Sequence, residues 1–187
     1  MAAIVLDAGL GRRVWERAML TIRLAIEVDA DLLPEIERSS GELFRQIPQL
    51  AWIADDDVQS ATRHREIIQQ GIAWVALSEA ELIIGFLSAE VHDSCLHIWQ
   101  MAVHSAYQKR GVGRALMRTA QSWAEANKLS SLTLTTFRNV PWNADFYRSC
   151  GFFIAQPDAS PMLLRTLANE ELAGLPIDQR CAMIRPL

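Results

Sequence analysis

The stretch from Cys95 to Asn127 sets the strongest limit on how this chain can fold. An apolar run, CLHIWQMAV, reads as a strand. The turn YQKRGVGRAL follows, and then Val112, Leu116, Ala120, Trp123 and Ala124 recur at helical spacing. The next strand pattern, SLTLTTF, must return beside the first, so strand, helix and strand form a β-α-β crossover with parallel neighbours. Upstream, IAWVALS and LIIGFLSAEVH are joined through Glu79-Ala80-Glu81, and Asp93-Ser94 turns into CLHIWQMAV. Those three segments read as an antiparallel meander. A meander feeding a crossover makes a mixed sheet, with helices available for both faces.

The remaining segments fit around that centre. Ile22, Leu24, Ile26 and Val28 alternate with Thr21, Arg23, Ala25 and Glu27, which predicts a half-buried first strand. Asp29 or Asp31 is placed to cap a helix through LLPEIERSSGELFR, with Pro34 in its first turn. QIPQLAWIADDD reads as a loop, and Ser60 to Ile68 as a second helix ended by Gly71. Beyond SLTLTTF come a short helix (WNADFYRSC), a strand (GFFIA), a helix (PMLLRTLANEELAGL) and a last strand (CAMIRP). The expected order is β-α-α-β-β-β-α-β-α-β-α-β in one α/β domain over residues 19–187. Residues 1–18 read as an extension outside the fold, or as untranslated sequence before a start at Met19.

Composition narrows the function classes. The 187 residues are 50% hydrophobic and 21% charged, enough apolar material for a core. A formal charge of -4 supplies no counterion-release drive toward nucleic acid. No segment approaches the ~20 apolar residues of a membrane span. Cys95, Cys150 and Cys181 fit no metal spacing, so no metal is expected, and they read as reduced thiols of a cytoplasmic protein.

The turn itself asks for an anion. A helix starts with unpaired N–H groups and a partial positive charge, and glycines let a ligand approach the main chain closely. Lys109, Arg110 and Arg114 add three full charges around Gly111 and Gly113. The expected ligand is a phosphate or diphosphate. The spacing is neither GxxxxGK[ST] nor GxGxxG, so the two best-known nucleotide loops are excluded.

Gln108-x-x-Gly111-x-Gly113, after a strand ending Met101-Ala102-Val103, resembles the [RQ]-x-x-G-x-[GA] loop of the GCN5-related N-acetyltransferases. Further along, Phe146-Tyr147-x-x-x-Gly151-Phe152 is similar to that family's tyrosine and glycine–aromatic signature. The element order from about Thr21 onward also agrees. The resemblance implies a mixed, mostly antiparallel sheet of about six to seven strands. It implies direct transfer of an acetyl group from acetyl-CoA to an amine, on a small molecule or a peptide. The diphosphate would lie on main-chain N–H groups of Arg110, Gly111, Val112, Gly113 and Arg114, with Gln108 and Lys109 also in the cofactor-binding set. The pantetheine arm would pair with Met101, Ala102 and Val103, and Asn143 would contact the arm from beside the family's usual asparagine position.

The resemblance also assigns chemistry. Tyr147 matches the tyrosine that protonates the leaving thiolate. His97, six residues before Val103, falls where several members carry a base; Glu90, His92 and a water remain alternatives. The loop after the first helix lines the acceptor pocket in such proteins, which brings forward Trp52 and Asp55 for a cationic acceptor, with Trp99 walling the pocket. The resemblance also allows a homodimer. Two rival functions stay open: a CoA-binding sensor without turnover, and an acyltransferase acting on a non-amine acceptor.

Overall fold

A computed structural model of the protein describes residues 20–156 and 160–187, so the segment read as an extension lies outside the described residues. The strands are β1 (Thr21–Leu24), β2 (Ile72–Leu77), β3 (Ile83–His92), β4 (Cys95–Val103), β5 (Ser131–Phe137), β6 (Phe153–Ile154) and β7 (Arg180–Pro186). The helices are α1 (Leu33–Gly41), α2 (Ala61–Gln70), α3 (Val112–Ala126), α4 (Ala144–Ser149) and α5 (Pro161–Leu172). The strands form one seven-stranded sheet in the order β1-β2-β3-β4-β5-β7-β6. Only β4 and β5 run parallel; every other pairing is antiparallel. The expected element order and mixed sheet are what the chain adopts. No described helix is long and apolar enough to cross a membrane.

Helices cover both faces of the sheet. On one, Trp74, Leu87, Leu96, Ile98, Leu132 and Leu134 pack against Leu116, Met117 and Ala120 of α3. On the other, Val75, Phe86 and Ala102 pack against Leu33 and Ile36 of α1. Phe86, Leu87, Leu96, Leu116, Leu132 and Leu134 are fully buried. Each such side chain contributes about 1.5–3 kcal/mol relative to exposure. Near the C-terminus, Glu170 of α5 accepts bonds from Arg180 on β7 (2.9 and 2.7 Å) and from Thr135 on β5 (2.5 Å), which fixes α5 to the sheet.

Four expectations need correction. The first strand stops at Leu24, and Leu24, Ile26 and Val28 are 56%, 55% and 70% exposed rather than half buried. The reason is Asp29, which accepts the Ile26 N–H (2.8 Å) and two bonds from Arg23 (2.6 and 2.9 Å), drawing the chain into a 3-10 turn over Glu27–Asp31. Asp29 therefore caps that turn and not α1, and Asp31 pairs with Arg65 instead. The first helix ends at Gly41, and the segment read as a loop is mostly 3-10 helix, over Glu42–Gln46 and Pro48–Ala54. Apolar anchors hold it: Leu50 is fully buried with Phe137 and Val140, and Phe44 meets the Phe137 and Trp142 rings at 5.6 and 6.0 Å. Finally, GFFIA contributes only Phe153 and Ile154 to the sheet.

Candidate active site

The site begins where β4 leaves β5. The two pair only from Cys95 to Ile98 against Ser131 to Leu134. On the opposite edge of β4 the register with β3 slips: Ile98 faces Ala89 and Gln100 faces Ser88, so Trp99 is left over as a bulge. A bulge bends its strand and ends regular pairing. Past it, the His104 N–H bonds to Ile84 O at 2.9 Å. Antiparallel alternation then gives the main-chain groups of Ala102 and Gln100 to β3 and turns those of Met101 and Val103 toward the gap. An unpaired strand edge of this kind is a template for an extended ligand.

The glycine turn closes one end of the gap. Gln108 Nε2 donates to Val103 O at 3.0 Å, tying the turn back to β4. Lys109 and Gly111 take left-handed φ values of 59° and 87°. The first bond of α3 runs from the Ala115 N–H to Gly111 O at 2.9 Å. No N–H from Lys109 to Arg114 has a protein partner among the described residues. Consecutive free amides at a helix start form a nest for an anion.

The two glycines serve different needs. Gly111 supplies the left-handed backbone and has open space beside it. Gly113 has no such φ, and a Cβ there would meet Phe146 and Met101 at 3.4 and 3.6 Å, ordinary contact distances. The cations also differ. Lys109 and Arg110 are exposed, with the Arg110 guanidinium 5.5 Å from the Tyr107 ring. Arg114 instead donates to Ser149 O (3.0 Å) and Oγ (2.9 Å), at the end of α4.

Tyr147 stands on α4, whose Tyr147 N–H bonds to Asn143 O at 3.1 Å. Its ring lies between Phe146 and Phe152, 5.2 and 5.9 Å away. No group among the described residues hydrogen-bonds the phenol. Burial, reinforced by Cys150 and opposed by Arg180, pushes its pKa up to about 12, so it is protonated at neutral pH. Tyr147, Phe146 and Met101 pack on the same apolar cluster. Asn143 is half buried at the start of α4, where its side chain makes no capping bond.

His97 lies before the gap, in the paired part of β4, and is fully buried. Nδ1 is 3.0 Å from Thr133 Oγ1, and Nε2 has no hydrogen-bond partner among the described residues. Burial, then the neighbouring His92, brings its pKa down to about 4, so it is neutral at pH 7. The Trp99 ring covers it edge-on at 4.3 Å. Trp99 Nε1 donates to Glu90 Oε2 at 3.0 Å, and His92 Nε2 is 3.4 Å from the same oxygen. Glu90, His92, His97 and Trp99 thus form one cluster beside a cleft of about 310 Å³ between α2 and the sheet, which Glu90 and Trp99 line and His97 does not.

A second cleft, of about 230 Å³, runs along β4 past the bulge. Gln100, Met101 and Ala102 form one side, and Glu37, Arg38, Asp56 and Asp57 line the other. Neither Trp52 nor Asp55 lines either cleft. Trp52 is 41% exposed, and Asp55 is held by Arg45 at 2.7 and 3.0 Å. A chain of polar contacts, unmarked by any motif, joins the two clefts. Gln59 Nε2 donates to Gln100 Oε1 (2.8 Å), and the Gln59 N–H to Glu37 Oε2 (3.3 Å). His64, 1% exposed on α2, places Nε2 3.4 Å from the same Glu37 oxygen. The available signal was a polar residue on each inward stripe, Glu37 beside Leu33 and Ile36, His64 beside Ile67 and Ile68.

With a bulged fourth strand parting from the fifth above a glycine-led helix, this chain belongs to the acetyltransferase (GNAT) family, whose sequence profile matches residues 39–152. Solved structures share the fold at low identity. The PaiA N-acetyltransferase of Thermoplasma acidophilum, solved with coenzyme A, is 15% identical over 90% of this chain and 99% of its own, with a TM-score of 0.68. The ribosomal-protein-S18-alanine N-acetyltransferase of Escherichia coli is 17% identical over 90% and 94%, with a TM-score of 0.64. The N-acetylglutamate synthase of Neisseria gonorrhoeae, solved with coenzyme A and N-acetyl-glutamate, is 18% identical over 91% of this chain and 35% of its own, with a TM-score of 0.65.

Proposed function

We propose that the protein transfers the acetyl group of acetyl-CoA directly to a primary amine of a small molecule or peptide, in the cytoplasm. The observation that carries this reading is the gap itself: one end holds unpartnered amides, the other opens on a cleft rich in carboxylates. The amides from Lys109 to Arg114 receive the diphosphate, with Lys109 and Arg110 as flanking charges. The outward groups of Met101 and Val103 pair with the extended arm, as a strand edge pairs with a peptide. Bound there, acetyl-CoA supplies an activated acyl carbon. The Met101 N–H is placed to donate to negative charge developing on the acyl oxygen. Tyr147, a neutral phenol, donates its proton to the departing sulfur. His97 is neutral with a bare Nε2, and reaches the acceptor only by way of a water or the Glu90–His92 pair beside it.

The test is thiol release from acetyl-CoA over a panel of amines, with product mass, comparing wild type with Tyr147→Phe. Because the phenol holds no protein partner, the variant should keep its melting temperature and its acetyl-CoA-induced shift. Its kcat should fall about 100-fold or more, the usual worth of a positioned acid. Stable acetyl-CoA binding without thiol release from any amine would refute the reading and leave a sensor in its place.

A further inference from the structure

The cleft along β4 holds a carboxylate with a buried partner behind it. Glu37 lines this cleft together with Ala102 and with Met101, whose main-chain groups face the gap. On its far side stands His64, 1% exposed, packed edge-on against Phe86 at 5.2 Å. His64 Nε2 has no hydrogen-bond partner among the described residues, and the one carboxylate within 4 Å is Glu37, at 3.4 Å. Leaving a buried imidazole nitrogen unpaired costs free energy, about 1–3 kcal/mol for such a group, so its nearest acceptor matters. The nitrogen points at the oxygen that also takes the Gln59 N–H, and Gln59 in turn holds Gln100 on the cleft's other wall. Glu37 is thereby held between α1, α2 and β4 with one oxygen engaged from behind.

We propose that Glu37 is the acceptor-binding residue: it receives the ammonium of an aliphatic primary amine, and His64 is the residue that positions it. This rests on the acetyltransferase reading above and names its substrate class. The charges that line the cleft with Glu37 are Asp56, Asp57 and Arg38, three carboxylates against one guanidinium in all. That balance favours a cation and disfavours acceptors with an anionic group beside the amine. A charge-assisted bond from ammonium to carboxylate is short and directional. It sets the nitrogen beside the strand where the acyl carbon is presented, and before attack the ammonium gives up one proton through a water toward His97, the base of the acetyltransferase reading.

The experiment uses the full chain with acetyl-CoA, n-butylamine and its uncharged match 1-butanol. Wild type should release thiol with butylamine and not with butanol. E37Q should raise the KM for butylamine about 30-fold or more, keep kcat within a few-fold, and leave the acetyl-CoA thermal shift intact; E37D should recover part of the loss. Two His64 variants separate positioning from packing. His64→Gln keeps a donor toward Glu37 and should stay near wild type. His64→Phe keeps the ring against Phe86 and should raise the KM for butylamine with little change in kcat. An unchanged KM in E37Q overturns the assignment of Glu37, and a normal H64F beside an impaired H64Q overturns that of His64. If wild type turns over no butylamine, saturation-transfer NMR with butylammonium on the CoA-loaded protein decides: binding lost in E37Q supports the proposal, and no binding to wild type overturns it. Absence of any acetyl-CoA shift would instead sink the wider reading.

Discussion

The turn at the head of α3 carries two glycines that a motif treats alike and the geometry does not. Gly111 has φ 87° and ψ 1°, a left-handed conformation in which an added Cβ would find no neighbour within 4 Å. The penalty for alanine there is purely conformational, about 1–2 kcal/mol. Gly113 sits in the first turn of the helix at ordinary contact distance from Phe146 and Met101, so alanine fits without strain. Both exchanges also remove chain entropy from the unfolded state, worth about 0.4–1 kcal/mol of stability each. That contribution is common to the two and cancels in their difference. Gly113→Ala should therefore be more stable than Gly111→Ala by about 1–2 kcal/mol. For a chain of this size each kcal/mol moves the melting temperature by about 2–4 °C, so the two should melt about 2–8 °C apart. Differential scanning calorimetry of both variants and wild type reads this directly. Repeating the scans with acetyl-CoA at 100 times its Kd, where a site adds about 2.7 kcal/mol, reports whether the amides still bind. Equal melting of the two variants, or the reverse order, would refute the assignment of Gly111 as the conformationally demanding position.

Two other predictions concern stability. His97 has an ordinary pKa of 6.5 and one of about 4 when folded, so the unfolded chain binds the extra proton first. Stability on this account is intact above about pH 6.5 and falls by about 3 kcal/mol as pH drops to 4. His97→Gln should flatten that slope in urea unfolding measured across the range, and an unchanged slope would refute it. Glu170→Ala leaves Arg180, 9% exposed, without its carboxylate, and should cost about 3 kcal/mol, the lower end for breaking a buried pair. A melting temperature within about 2 °C of wild type would contradict the anchoring role of Glu170.

How far the sequence reached depends on the range of the interaction involved. β4 and β5 were legible to the residue, because β4 is a short, mostly apolar run and β5 a run of Leu and Thr that alternate up to Thr135, both bounded by turns. The first strand was misjudged because its alternation is real, but Asp29, five residues past the last paired position, diverts the chain through side-chain bonds that no periodicity encodes. Asp55 looked available because Arg45 comes within reach only when the intervening chain winds into 3-10 turns. Arg114 looked like a ligand for anions, and its bond to Ser149 spans 35 residues. The bulge did leave a mark: the residues packed toward α3 are Leu96, Ile98, Met101 and Val103, spaced two, three and two. A strand with a skipped beat is one with a residue to spare. Glu37 and His64 had only their inward positions to betray them, and their pairing needed the packing of α1 on α2.

That spare residue at position 99 has an architectural meaning. Were the chain one residue shorter there, Ile98 and Gln100 would still face Ala89 and Ser88, and every later side chain would keep its present side. The hydrophobic interior would be untouched. The fourth strand, however, would lose the bulge that bends it, and at its present register it would go on zipping to its parallel neighbour as far as Ala102, opposite Phe137 at the end of β5. The result would be a sound, tightly knit protein with nowhere for a thioester to enter. A single surplus amino acid separates a closed sheet from one that can be opened by a ligand.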